Sequence, residues 1–329
     1  MKNEEIQQIR NHAITKQLNF LIGSGASLPA IPLMSNFEFD ENGKKVEEAV
    51  GNERLKEKIK TVSKSLVEKT SNHAVQDGIQ QTLESYFHFI QTITELLYKS
   101  NSRQAPKNIN IFTTNYDLFI EMAIDRLMKQ ERLIFNDGAN GYFERVLDSS
   151  NYNKTVAYRG LNDNYLNEIP MISLIKPHGS MNWEKSESEE IHVKQGVVEN
   201  PVVVPPTGYE SRKTFLDNHF HDMLRVFQME LDKPQSVLFV IGFSFQDKHI
   251  AKMIRRAIQN PELMIYVFCY SDKDGETNKQ NLGIPGESRN LKIIIPRDIE
   301  WIESEEGFTI ASLTRLLNEN SEDEGATNS

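Results

Sequence analysis

Four apolar runs in this chain each stop abruptly at small or polar residues. That repeated design constrains the fold more than any other feature. The runs and their ends lie at 20–27, 111–117, 172–180 and 237–247. The one that organises the rest reads Ile111-Phe112-Thr113-Thr114-Asn115-Tyr116-Asp117, and a helix-like segment, 118–128, follows at once. Strands alternating with helices imply a mostly parallel, doubly wound α/β sheet. The near-continuous apolar runs at 236–241 and 291–295 suit strands buried on both faces. Such sheets bind ligands at the carboxyl ends of their strands, so Asn115 and Asp117 are expected at that edge. Taken singly, each of the four stretches is also what an ordinary strand-to-helix turn looks like, because turn residues collect there. Their combination suggests one pocket.

The remaining elements follow from periodicity. A helix is expected to open the chain within 3–19, before a strand at 19–23. Residues 36–80 are charged, with a turn at Asn42-Gly43 and helical spacing over 46–67. A stronger helix covers 82–98, its apolar positions Leu83, Tyr86, Phe87, Ile90, Ile93 and Leu96 facing the core. Strands are expected at 110–114, 132–135 and 171–175. Residues 136–169 are rich in Asn, Gly, Tyr and Asp without clear period, and long irregular stretches are usually functional or mobile. They read as an insertion or small lid starting at Asn136-Asp137-Gly138. Short strands lie within 191–204. A helix spans 215–231, a strand 236–241, a helix runs from Asp247 to 258, and strands follow at 263–270 and 291–295. Residues 271–290 read as a polar loop. A final helix lies near 310–317, and the acidic tail 319–329 reads as disordered. The whole is expected to be one domain over 1–318, with insertions at about 36–100 and 136–169.

The strand ends carry the chemistry. After the first strand comes Gly23-Ser24-Gly25-Ala26-Ser27, small enough for backbone amides to approach a phosphate. The third glycine of the dinucleotide fingerprint is absent, so a plain glycine turn is about as good an account. In Lys176-Pro177-His178-Gly179-Ser180, Pro177 stiffens the approach and Gly179 permits a sharp turn that aims His178 outward. Trp183 serves either as a cover or as core. In Gly242-Phe243-Ser244-Phe245-Gln246-Asp247, Asp247 either caps the following helix or touches a ligand.

Composition narrows the partners. A net charge of −10 over 329 residues, with no strong basic run, argues against a general nucleic-acid surface. The single cysteine, Cys269, lies in an apolar run and excludes an internal disulfide and a cysteine zinc knot. No stretch is apolar and long enough to span a membrane. The opening Met1-Lys2-Asn3-Glu4-Glu5 lacks a signal peptide's apolar segment. A reducing cytoplasm is the expected compartment.

These motifs together resemble the sirtuin-like NAD-binding domains, which have a Rossmann-like sheet. Residues 23–27 are similar to the family's first glycine loop, and Ala30-Ile31-Pro32 to the Gly-Ile-Pro after it. Thr113-Thr114-Asn115-Tyr116-Asp117 resembles Thr-Gln-Asn-Ile-Asp, His178-Gly179 the family's His-Gly, and Gly242-Phe243-Ser244 its Gly-Thr-Ser. The order and strand-end placement agree across roughly residues 20–270. Two departures stand out. The four-cysteine zinc module of the deacetylases cannot be built here, and Leu33-Met34-Ser35 replaces the Asp-Phe-Arg after the proline. Asn-Tyr-Asp and Gly-Phe-Ser-Phe, the latter followed by Asp247 and His249, resemble the sirtuin-like effectors of bacterial anti-phage defence.

The resemblance implies hydrolysis of NAD+ to nicotinamide and ADP-ribose. Asn115 would hold the attacking water and ribose, His178 the ribose hydroxyls, and Asp117 the nicotinamide carboxamide. Gly23, Ser24, Gly25, Ala26, Ser27, Thr114, Tyr116, Gly242, Phe243, Ser244 and Phe245 would line the diphosphate and adenosine end. No metal and no cofactor beyond NAD+ as substrate are implied. A separate sensor, such as a HerA-type ATPase, or self-assembly would provide control, since the chain has no room for a large fused sensor. A non-catalytic module that binds NAD or ADP-ribose is the alternative. It would keep the glycine loops without needing both Asn115 and His178. Protein deacylation or ADP-ribosyl transfer is disfavoured by the missing zinc module.

Overall fold

The computed structural model describes residues 3–39, 43–68, 73–100, 107–158, 168–205, 218–284, 288–302 and 307–318. The Asn42-Gly43 turn in part, the tail 319–329 and the middle of the 136–169 insertion lie outside them.

The chain begins with helix α1 (Asn3–Thr15) and strand β1 (Gln17–Ile22). Two long helices follow, α2 (Glu48–Glu68) and α3 (His73–Lys99), then β2 (Asn108–Thr113), α4 (Phe119–Met128) and β3 (Ile134–Asn136). A short hairpin, β4 (Ala139–Asn140) and β5 (Val146–Leu147), precedes β6 (Met171–Ile175), β7 (Trp183–Lys185) and β8 (Ile191–Val193). The last third alternates α5 (Asn218–Asp232), β9 (Ser236–Ile241), α6 (Lys248–Ala257), β10 (Met264–Phe268), α7 (Asp272–Leu282), β11 (Leu291–Ile294) and α8 (Ile310–Leu317).

Seven strands form one parallel sheet in the order β11-β10-β9-β1-β2-β6-β3. From β1 the chain winds outward through β2 and β6, then returns to β9 on the other side of β1. That reversal is the topological switch point of an open α/β sheet. It makes β9, β1, β2 and β6 consecutive neighbours, so the four turns singled out above stand side by side at one edge.

Side chains alternate across each strand. Phe20, Ile22, Phe239 and Ile241 meet the layer of α1, α2, α3, α4 and α8, where Phe89, Ile124 and Leu313 are fully buried. Leu21, Leu238 and Val240 meet α5 and α6 through Phe227 and Ile254. Full burial of each such side chain stabilises the fold by about 1.5–3 kcal/mol. Polar groups also cross the middle of the sheet. The register pairs Asn19 with Asn110, and Asn110 Nδ2 donates to Asn19 Oδ1 at 2.9 Å and to Glu230 Oε2 at 3.0 Å. Asn108 Nδ2 donates to Asn110 Oδ1 at 3.0 Å, and Ser173 Oγ to Asn108 Oδ1 at 3.1 Å. Each of these amides is buried with its partners in place, as buried polar groups must be.

Two expectations are corrected. Residues 271–290 contain a helix, α7, and not only a polar loop. Ser271 and Asp274 form its capping box, and Gly283 ends it in the left-handed region at φ 66°. It escapes periodicity because it is polar on most sides and its buried residues are Gly275, Asn278 and Leu282. The described part of 136–169 is likewise ordered. β4 and β5 join β8 and β7 in a second, four-stranded antiparallel sheet, too short in each strand for alternation to show. Trp183, Ile191 and Val193 form its small core, so Trp183 is a packing residue. The hairpin tip leaves Tyr142 87% and Phe143 94% exposed.

Candidate functional site

The four turns are hydrogen-bonded into one edge. Gly23 N donates to Ile241 O at 2.9 Å and Gly25 N to Gly242 O at 3.0 Å, tying the β1 turn to the β9 turn. Thr114 N reaches Ile22 O at 3.3 Å, and Met181 N reaches Tyr116 O at 3.0 Å, tying the β2 turn to those of β1 and β6. Glycine is required where the first two meet. A Cβ on Gly23 would stand 2.3 Å from Gly242 O, and one on Gly242 (φ +65°) would stand 2.5 Å from Ala26 N. The amides of Gly23, Gly25 and Ala26 are thus engaged within the protein, and the glycines let the two loops pack together.

Asn115 sits below this junction, 7% exposed. Its Nδ2 donates to Gly23 O at 3.0 Å and to Ser27 Oγ at 3.1 Å. With the amide nitrogen held by the protein, the carbonyl Oδ1 is the group left for a ligand. Ser27 is the hub of the network. It donates to Asp117 Oδ2 at 2.8 Å and contacts the Tyr86 hydroxyl at 3.1 Å. Asp117 Oδ1 accepts from Phe119 N at 3.2 Å at the start of α4.

Asp117 is 4% exposed with both oxygens engaged, so its side chain organises Ser27 and, through it, Asn115. Burial raises its pKa above the ordinary value, while the nearby Lys176 ammonium and the Ser27 hydrogen bond act against that rise. Lys176, itself 2% exposed, donates to Asp117 O at 2.6 Å and to Glu121 Oε1 at 2.7 Å. Glu121 is raised for the same first reason, burial, again opposed by Lys176. Burial also pushes the Tyr86 hydroxyl up, with Asp117's charge adding to the effect.

His178 leaves the end of β6 through the turn that Gly179 permits. Gly179 has φ +86°, and a Cβ there would stand 1.9 Å from Val202 O. His178 O accepts from Val204 N at 2.9 Å, fixing the turn from the other side. The ring Nε2 lies 3.0 Å from Asp247 Oδ2. Asp247 is the N-cap of α6, its Oδ1 accepting from His249 N at 2.9 Å and Ile250 N at 3.1 Å. Burial alone would raise its pKa. The His178 hydrogen bond and charge and the two amides outweigh burial, and hold the carboxyl below its usual value. The pairing with His178 was not legible in the sequence; Asp247's cap position was.

The other expected residues divide by exposure. Ser24 and Ser244 are exposed at the edge, and Gly25, Thr114, Gly242 and Phe243 are partly so. Tyr116 is 5% and Phe245 1% exposed, both in the hydrophobic core, so their side chains pack the fold. Gly23, Ala26 and Ser27 are buried beneath the edge. Ser27 was expected as one of several loop residues. Its place at the centre of the network depends on Tyr86, whose helix gave no sign of reaching the site.

Among the described residues, no group of three or more His, Cys, Asp or Glu is placed to hold a metal ion. Cys269 is buried, and burial pushes its thiol up to about 11. No described helix is long and apolar enough to cross a membrane.

A comparison with curated proteins found no match. A family model described as a SIR2-like domain matches residues 109–293, more than half of the chain. The match runs from β2 to β11 and takes in the turns of Asn115, His178 and Gly242; the 23–27 loop lies before it and joins them through hydrogen bonds. By that match the chain belongs to the SIR2-like family, a Rossmann-like α/β fold that fits an NAD-related function.

Proposed function

We propose that this protein is an NAD+ glycohydrolase that cleaves NAD+ to nicotinamide and ADP-ribose. The observation that carries the proposal is the convergence of Asn115 and His178 on one sheet edge. Asn115 is oriented by Gly23 and Ser27, and His178 by Asp247.

The chemistry suits these residues. Nicotinamide leaves as a neutral molecule from a cationic ring nitrogen, so its departure needs little acid catalysis. The barrier lies in an oxocarbenium-like ribose, as in glycoside hydrolysis. Asn115 Oδ1 accepts a hydrogen from the attacking water or a ribose hydroxyl. His178 accepts from the ribose hydroxyls and takes part in proton transfer. The water oxygen bonds to the anomeric carbon as the carbon–nitrogen bond breaks. The electron pair stays on nicotinamide, and one water proton is released. The exposed Ser24 and Ser244 and the partly exposed Thr114 face the diphosphate and adenosine. Asp117 supports Ser27 and Asn115 from beneath. No metal takes part.

The biological setting we propose is bacterial anti-phage defence by NAD+ depletion in the cytoplasm. A hydrolase of this kind must be held inactive until needed, so a separate sensor protein, such as a HerA-type ATPase, or self-assembly controls it. Incubation of the pure protein with NAD+, alone and at high concentration, followed by measurement of free nicotinamide, tests the proposal. Nicotinamide formed without any acylated peptide supports a hydrolase. Tight NAD+ or ADP-ribose binding without turnover under every assembly condition supports the non-catalytic module instead.

A further inference from the structure

The His178–Asp247 contact has a directionality that its partners impose. Both backbone amides at the start of α6, those of His249 and Ile250, point at Oδ1 of Asp247. Oδ2 is the oxygen that meets His178 Nε2. The carboxylate is therefore clamped at one oxygen by donors that cannot reorient, and offers the other to the ring. A carboxylate only accepts hydrogen bonds, so Nε2 must carry the proton in this contact. In the neutral ring, Nδ1 is then the unprotonated nitrogen. Nδ1 makes no hydrogen bond among the described residues, and the side chain is 20% exposed. The sheet order adds a second constraint. His178 follows β6 and Asp247 follows β9, with β1 and β2 between them. The contact thus holds the ring toward the edge where the Asn115 turn ends.

We propose that Asp247 is a positioning residue for His178: its carboxylate accepts the Nε2 proton and so presents Nδ1 to the ribose hydroxyls of the substrate. The ribose part of this inference rests on the proposed hydrolase activity; the hold on the ring does not. The second ring nitrogen of a catalytic or ligating histidine commonly sets the tautomer of the first in this way.

The clamp makes the test unusually clean. In Asp247→Asn the amides of His249 and Ile250 still require an acceptor, so the side-chain oxygen stays at the Oδ1 position. The amide nitrogen then occupies the Oδ2 position and donates to His178 Nε2. The ring is forced into the Nδ1–H tautomer, while the helix cap, for which Asn serves as well as Asp, is kept. Nitrogen-15 spectra of histidine-labelled protein, with the His178 signal among the eight histidines assigned by its loss in His178→Gln, read the tautomer without substrate. We expect Nε2–H in the wild type and Nδ1–H in Asp247→Asn. With any activator present, kcat for nicotinamide release should fall roughly a hundredfold or more in Asp247→Asn. KM should stay within about threefold, because the loss falls on the transition state. The melting temperature should not change. Asp247→Ala should lose both the ring's preference and the cap, with lower kcat and a lower melting temperature. An unchanged Nε2–H tautomer in Asp247→Asn overturns the inference, as does a switched tautomer with unchanged kcat. If the wild type never releases nicotinamide, the hydrolase proposal fails, while the tautomer comparison still upholds or overturns Asp247's hold on the ring.

Discussion

His178 Nε2 lies 3.0 Å from Asp247 Oδ2, although the strands that carry the two residues, β6 and β9, are separated in the sheet by β1 and β2. Three strand spacings amount to about 14 Å. The two turns must therefore lean toward each other across the ends of the strands between them. The two strands between them, β1 and β2, end in the turns that carry Ser27 and Asn115. The site is built from four segments that are distant in sequence, and each depends on another for its orientation.

Asn115→Ala and His178→Ala should each lower nicotinamide release roughly a hundredfold or more. Their effects on stability should differ. His178 is partly exposed and its ring meets the Asp247 carboxylate, so His178→Ala should melt close to the wild type. Asn115→Ala removes donors from Gly23 O and Ser27 Oγ, both buried, and should cost about 1–3 kcal/mol. Nicotinamide release and urea unfolding, measured side by side, check this. A folded Asn115→Ala variant with near wild-type turnover would sink the catalytic assignment.

Gly23→Ala should be more damaging to the fold than its size suggests. The new methyl would sit 2.3 Å from Gly242 O, a backbone atom that has no rotamer with which to retreat. Overpacking of this kind costs typically 1–3 kcal/mol. Gly196→Ala, where nothing lies within 4 Å of the new Cβ, is the matched control. Equal melting temperatures for the two variants would show that the β1 and β9 turns are not packed as described.

Lys176→Met should turn the buried carboxyls against the fold, in a pH-dependent way. Burial already raises Asp117 and Glu121, and the Lys176 charge is the main influence opposing it. Removing that cation moves both folded-state values further up. A group whose folded pKa exceeds its unfolded value favours folding below the unfolded pKa and loses that contribution as pH rises through the folded one. The variant should therefore be destabilised by about 3–5 kcal/mol at neutral pH and recover part of that loss on acidification to about pH 5. Urea unfolding at the two pH values measures the slope; a variant less stable in acid than at neutral pH would contradict the assignment.

Elemental analysis of the purified protein should find no stoichiometric zinc, and chelator should leave NAD+ cleavage intact. Structural zinc takes four Cys or His ligands, and the sequence has one cysteine. One tightly held zinc per chain would overturn this expectation.

The isolated monomer should turn over slowly, and activity should rise on assembly with a partner or with itself. Mass measurement in solution paired with nicotinamide release across a concentration series decides it. Full activity in a verified monomer counts against control by assembly.

Much of the architecture could be read from the chain because buried parallel strands are local signals. The runs at 171–175 and 236–241 match β6 and β9, and 310–317 matches α8. Apolar continuity and its abrupt end are properties of neighbouring residues. The polar ends of four strands, and hence Asn115 and His178, could be picked out for the same reason. Helix α7 was missed because its stability comes from a capping box, a glycine stop and few buried side chains, which leave no periodic trace. Of the second sheet only β8, within the short strands expected at 191–204, could be read; β4, β5 and β7 have two or three residues each, and the hairpin joins β8 through Val146 and His192, distant in the chain.

What tertiary structure alone decided is who touches whom at the edge. Strand order is a choice of topology, and it sets β9 beside β1 and lets Asp247 meet His178. Asp117 is buried with both of its oxygens committed to Ser27 and Phe119, and α3 brings the Tyr86 hydroxyl to the same Ser27. Local sequence determines that a strand ends in a polar turn. Whether that turn's side chains face a ligand or one another depends on packing between segments that only the folded chain brings within hydrogen-bond range.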